Sequence, residues 1–541
     1  MIEQTNLEKT SSEQISLGET ISEQTISEQT ISEKTISEQT WQRISPIALV
    51  YFAINVIKNL LGNFVYFIPA LIAGYSHIKE NPTLWLPIFL IVLALLIIGI
   101  FLSFYFFQYR LNKEHIEIRS GVFAKKHLNL PFTRIQNIKL EQPIYYRPFN
   151  TICMVLDTAG SIKQEAKIVA LDIDFAEHLK AQILTSNQNQ STIKKDTATS
   201  NSQINIAEEK ILNQRSLSDL IIHGLSNNRV WIFLGGLAPF FDNIARAVGN
   251  GLTSIGINTD QLFSIADKSW WQISLYALSL TFLIFLPITL FSVFGSILSF
   301  YNYTLSKMDD KYIRRSGLLT KHEVTMKLSR LQMVIRQQDW LDILLKRINL
   351  KFEQNQSTGQ NFQAGAYNSK IIVPSITEKE CQALINDVYP HNNLTKIKFI
   401  AISKRYLLRY LAYMLLPCYL FISTIALYNS KWLAFTWLTI VFTLIAFLIV
   451  MRWYRWGYAM DEHYIYVRKG ALGVDYLCFE RFKVQQTKFK QSIFLRRHQL
   501  CKIQLILASG TVNIPYMKEK SGYQLINECL YQVEKTHRSW M

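Results

Sequence analysis

The chain has 541 residues, too many for one ordinary domain. It is 49% hydrophobic and only 18% charged, where a soluble domain carries about a quarter charged residues, and the apolar excess is gathered in blocks. The net charge of +17 fits an anionic bilayer or a nucleic acid, and the basic residues stand beside the apolar blocks, which favours the bilayer.

Residues 1–44 read as a disordered polar tail. The pentapeptide Ile21-Ser22-Glu23-Gln24-Thr25 recurs at 26–30, with a Lys34 variant at 31–35, and again at 36–40. A period of five matches neither helix nor strand, and so few copies could not bury the core of a solenoid. The tail holds no apolar stretch of the kind a signal peptide needs. A first membrane hairpin is predicted over 45–108, from blocks Leu60–Tyr75 and Leu84–Phe107. Lys58 lies among Asn55, Asn59 and Asn63. It is either a functional intramembrane charge or part of an interfacial approach helix from which it snorkels to the headgroups.

A strand-rich module is expected over 109–185, then a linker over 186–215 that is rich in Asn, Gln, Ser and Thr. A second hairpin over 216–301 combines a short block, Val230–Phe241, ending in Asp242 and Arg246, with a long one, Trp271–Tyr301. A second module covers 302–390. The third hairpin, 396–452, pairs Tyr406–Tyr428 with Trp432–Met451, and a third module covers 453–535. Six spans are expected. Arg110, Lys113, Lys125, Lys126, Lys307, Lys311, Arg314, Arg452 and Arg455 follow the even-numbered spans, and the opposite connections are poor in charge. The positive-inside rule then places both termini and all three modules in the cytoplasm.

The modules are copies of one another. Each carries a short basic-glycine pattern after its hairpin: Arg119-Ser120-Gly121, Arg315-Ser316-Gly317 and Arg468-Lys469-Gly470. Counting from the glycine without a gap, position +13 is Arg134, Arg330 and Lys483. Position +15 is Gln136, Gln332 and Gln485, and position +21 is Gln142, Gln338 and Gln491. Strand-like alternation precedes the glycine at His115–Arg119 and His463–Arg468, and a hairpin is expected around Ser509-Gly510. Amphipathic helices close the modules at Phe175–Leu184, Thr377–Val388 and Gly522–Val533. Strands closed by one C-terminal helix predict a β-barrel or sandwich capped by a helix, like a pleckstrin-homology (PH) domain. The fold class is therefore an α+β membrane protein with six transmembrane helices in three hairpins, each followed by such a module.

The chain resembles the membrane-flanked bacterial PH-like family (YdbS/YdbT-like proteins) over roughly residues 45–535. Arg134-Ile135-Gln136, Gln142-Pro143, Arg147 and Asp157-Thr158-Ala159-Gly160 carry the likeness best. The second copy has Ile343 at the place of Arg147, and the third has Lys483 in place of the arginine. The resemblance implies an inner-membrane scaffold that acts in envelope maintenance or in resistance to membrane-active compounds. A smaller membrane protein with one copy of the module would be a natural partner. Lipid binding, or transport of lipid or small molecules, is the alternative, with Asn55, Lys58, Asn63, Asp242 and Arg246 as its candidate groups.

Candidate contacts with headgroups or partners are Arg134, Arg330, Lys483, Arg119, Arg315 and Arg468. For Arg134, Arg330 and Lys483 the structural alternative is pairing within the module or snorkelling to headgroups; for Arg119, Arg315 and Arg468 it is a solvated or headgroup-facing turn beside the glycine. The glutamines do not titrate and are expected on backbone groups. No catalytic motif is present, and Asp309-Asp310 and Asp461-Glu462 read as turns. The six cysteines show no Cys-x-x-Cys or zinc spacing, so no metal or cofactor is expected, and the protein is read as non-enzymatic.

Overall fold

The computed structural model describes residues 41–536 apart from 63–81, 113, 123, 159–165, 193–208, most of 227–268, 355–369 and 429–431. The pentapeptide tail, most of the block Leu60–Tyr75, nearly all of 230–248 with Asp242, and the linker from 193 to 203 lie outside the described residues. The chain divides into two compact units, one ending at Gln203 and the other beginning at Ile204.

The first unit opens with a two-residue strand, β1 (Gln42–Arg43), and helices α1 (Ala48–Gly62) and α2 (Pro82–Tyr105). Then come β2 (Gln108–Leu111), β3 (His115–Ser120), β4 (Lys126–Pro131), β5 (Ile135–Pro143), β6 (Thr151–Thr158), β7 (Ala166–Asp172) and α3 (Ile173–Thr192). Pairing is antiparallel throughout: β1-β2-β3-β4 form one sheet, while β6 joins β5 to β7. Both sheets contribute to one core, through Ile116 and Leu130 on one side and Ile138, Leu156 and Ile168 on the other. The helix periodicity is realised, since Leu179 and Ile183 of α3 are buried in that core and Phe175 packs on its edge.

The second unit holds two modules. The first of them comprises β8 (Lys210–Gln214), α4 (Leu217–Ser226), α5 (Trp270–Phe300), β9 (Thr304–Met308), β10 (Lys311–Ser316) and β11 (Thr320–Lys327). It continues with β12 (Met333–Gln338), β13 (Ile348–Glu353), β14 (Ile371–Ile376) and α6 (Glu378–Val388). Thr377 caps α6 with a reciprocal box: its hydroxyl accepts from the Glu380 amide, and the Glu380 carboxylate accepts from the Thr377 amide at 2.8 Å. The last module runs through β15 (Ile400–Ala401), α7 (Arg405–Tyr428), α8 (Trp432–Arg455), β16 (Gly457–Met460), β17 (Tyr464–Lys469), β18 (Val474–Glu480), β19 (Gln486–Lys490), β20 (Leu500–Leu507), β21 (Gly510–Lys518) and α9 (Glu519–Thr536).

Two expectations are met in part. Three helical stretches among the described residues, not six, are long and apolar enough to cross a membrane: Trp85–Tyr105, Arg405–Tyr428 and Phe435–Arg455. The two blocks expected to pair with α2 and α5 fall largely outside the described residues. On α5 itself, only Phe285–Phe300 stands out as a shorter apolar stretch. Of the barrel or sandwich expected, no barrel closes among the described residues. Each module contributes strands to two sheets. In the second unit β12 pairs with β18 of the following module, from Val334↔Cys478 to Gln338↔Val474. A single seven-stranded sheet, β14-β13-β12-β18-β17-β16-β15, results, and it spans both modules.

Candidate interaction site

The repeated glycines sit at one geometry. Gly121, Gly317 and Gly470 have φ of +103°, +117° and +153°. A Cβ on any of them would collide with the carbonyl oxygen three residues on: Ala124, Thr320 and Gly473 respectively. Both constraints demand glycine, which explains why the turn is repeated.

The glutamines at +21 are loop staples. Gln142 Nε2 donates to the Thr151 carbonyl at 3.4 Å, Gln338 Nε2 to Arg347 at 3.1 Å and Gln491 Nε2 to Leu500 at 3.0 Å. Each bond spans the same nine residues, enclosing a short helical turn that ends on a left-handed residue: Asn150 (φ +49°), Lys346 (+54°) and Gln499 (+53°). That left-handed position repeats at +29. Sequence comparison misses it because three different residue types, Asn, Lys and Gln, hold the position; only the backbone conformation is common.

The basic residues at +13 each end a 3₁₀ turn: Phe132–Arg134, Leu328–Arg330 and Arg481–Lys483. Their surroundings then diverge. Arg134 is exposed. Arg330 is half-buried, and burial lowers its pKa. Lys483 is buried, its ammonium donating to the Leu331 carbonyl, to the Ser329 carbonyl at 3.2 Å, and pairing with Glu480 at 3.3 Å. Burial pushes the Lys483 pKa down while Glu480 opposes that. The third-copy residue therefore joins its own turn to the turn of the preceding module.

The arginines before the glycine face the strand that enters each hairpin. The Arg119 guanidinium lies 3.8 Å from the centroid of the Trp41 ring, and that of Arg110 at 4.9 Å. Arg315 pairs with Glu209 and, at 2.9 Å, with Glu323. Arg468 lies 5.1 Å from the centroid of the Phe399 ring and donates to the Arg455 carbonyl at 3.0 Å. Trp41, Glu209 and Phe399 are the residues immediately before β1, β8 and β15. Those three entry strands were not foreseen. They are short and take their register from strands beyond the hairpin: Gln42↔Tyr109, Asn213↔Leu305 and Ile400↔Tyr458. A run of two to five residues paired across a membrane hairpin leaves no local periodicity to read.

Other expectations resolve simply. Asp309 (φ +51°) and Asp310 form a turn, with Asp310 accepting from the Ser329 amide at 3.4 Å. Asp461 accepts from the amides of His463 and Tyr464 at 3.0 and 2.7 Å. Lys58 is an exposed residue of α1. All six cysteines are free thiols.

A third basic cluster holds the entry segment of the second hairpin onto its module. Arg215 pairs with Glu380 of α6 and with Asp219 at 3.6 Å, while Arg347 pairs with Asp219 at 3.1 Å. Deeper in, His223 Nδ1 meets Asn349 Oδ1 at 2.9 Å, and Asn349 Nδ2 donates to Asp342 at 2.8 Å. Gly224 lets α4 approach the Val293 backbone of α5, where Ser292 and Ser296 donate to the Gly224 and Leu220 carbonyls at 2.6 and 2.8 Å.

Open two-sheet modules set directly after apolar helices define a class: membrane proteins built from PH-like domains. Residues 63–187 and 406–533 match the bacterial PH domain family. It is 19% identical over 483 residues to the UPF0699 transmembrane protein YdbT of Bacillus subtilis (strain 168), covering 87% of this chain and 93% of that protein. The middle module lies outside the two matched segments, yet it keeps the glycine turn, the 3₁₀ turn and the glutamine staple.

Proposed function

We propose that this protein is a non-catalytic scaffold of the bacterial inner membrane, with its PH-like modules on the cytoplasmic face, serving envelope maintenance or resistance to membrane-active compounds. The observation that carries this reading is the β12·β18 seam. It welds two modules into one sheet, so that they present a single rigid surface beside the bilayer. The residues repeated in all copies support it as well, because they shape turns and loops instead of assembling a reactive group. The orientation rests on the basic residues that follow the spans, such as Arg452 and Arg455 at the end of α8. Membrane lipids and other proteins are the expected partners, with no cofactor.

The test is Ile335→Pro, which puts a residue without an N–H in the middle of β12, where the ladder cannot accommodate it. The variant should stay in the membrane fraction but lose protection against a membrane-active cationic peptide in a growth assay. Full protection with the seam demonstrably open would sink the scaffold reading. Lipid passage would instead make Lys58→Ala the damaging change.

A further inference from the structure

The seam between the second and third modules has a counterpart at the end of the third, and there it is vacant among the described residues. β12 and β19 begin at the same distance after Gly317 and Gly470. The outer edge of β12 is filled by β18. β19 is the terminal strand of the sheet β19-β20-β21, and its Gln486, Lys488 and Lys490 are exposed.

The closing helices show the same contrast independently. Past α6, Tyr389 is 3% exposed and packs at a tilt, centroids 4.9 Å apart, against Tyr464 of the third module, in a core that also takes Ala459 and Tyr466. When α6 and α9 are aligned on their first residues, Glu378 and Glu519, Leu530 falls at the place of Tyr389, and it is 50% exposed. Tyr531 and Val533 are exposed beside it. Phe489 of β19 stacks on Tyr523 of α9 at 4.7 Å, so the bare edge and the bare helix face are continuous. A strand edge with no partner strand beside an apolar patch is a template for another strand, and the lysines of β19 restrict which strand can add there.

We propose that β19 and α9 form a docking site for the N-terminal sheet of a further PH-like module carried by a different polypeptide. This deepens the scaffold reading by naming its partner, and rests on it only for the premise that a partner exists. Charge selects the occupant. In the existing seam Gln337 faces Asp475, and Lys490 stands at the place of Gln337. A strand with an acid at the Asp475 position would pair with Lys490. A second copy of this chain would bring its own β4, which has Lys126 at that position, and the two lysines would repel.

The experiment places a photoreactive benzoyl-phenylalanine at Lys488, and separately at Leu530, in the full-length protein in its native membrane. A probe at Gln337, which should capture β18 within the chain, verifies the photochemistry. Both probes should capture one and the same other polypeptide, at the strand of its PH-like sheet equivalent to β18. Lys490→Glu, an exposed change whose folding is checked by its melting midpoint, should cut that adduct about tenfold, the effect of about 1.4 kcal/mol. No adduct from either site, adducts with lipid alone, adducts with a protein lacking such a sheet, or adducts with Lys126–Pro131 of a second copy would each overturn the proposal. If the adduct forms and Ile335→Pro leaves protection intact, the scaffold role fails and the docking site stands.

Discussion

At the residue scale, the repeat is written in positions where a backbone requirement leaves little choice. Gly317→Ala forces a Cβ toward the Thr320 carbonyl at φ +117° and should cost about 2 kcal/mol or more. Gly295→Ala, with open space around its Cβ, should cost nothing measurable. Thermal midpoints in detergent compare the two. Gln491→Ala removes one staple to the Leu500 carbonyl and should lower stability by about 1 kcal/mol, read by the same assay. These residues were visible in the sequence as identities at fixed spacing, and their expected role on the backbone agrees with the bonds at +21. The left-handed residue at +29 was not visible, since a conformation can recur without its residue type.

At the element scale, the entry strands and their anchors couple each hairpin to its module. Arg215 ties the end of β8 to α6 through Glu380. Burial alone would raise the Glu380 carboxyl, but the Arg215 guanidinium and the Thr377 amide and hydroxyl hold it at about 2. A carboxyl depressed in the folded state contributes stability that is complete above its ordinary value and is lost as pH falls through the folded value. Stability should therefore decline between about pH 4.5 and pH 2, and Glu380→Gln should remove that part of the decline. Denaturant midpoints across that range, wild type against variant, decide it; parallel curves would show that the pair is not coupled to folding. Nothing in the local pattern announced β8. Its strand character comes from pairing with β9 across the whole second hairpin.

At the scale of the whole molecule, equivalent residues acquire different surroundings because modules abut. Arg134 is exposed, whereas Lys483 is enclosed between two 3₁₀ turns. Arg134→Ala should weaken binding of the purified protein to vesicles rich in phosphatidylglycerol. Lys483→Met should leave that binding unchanged and lower the melting midpoint. Equal losses of vesicle binding for both would restore a headgroup role for Lys483.

The sequence by itself determined the repeat, the apolar helices and the sheet-and-helix character of the modules. Those features are encoded in spacing, composition and periodicity, which need no knowledge of what lies across the chain. The tertiary structure alone decided that the barrels stay open, that three short strands precede the hairpins, and that β12 belongs as much to the next module as to its own. Strand pairing joins backbones far apart in the chain, so local periodicity does not announce which edge meets which strand; the cross-strand side chains then favour or disfavour the pair.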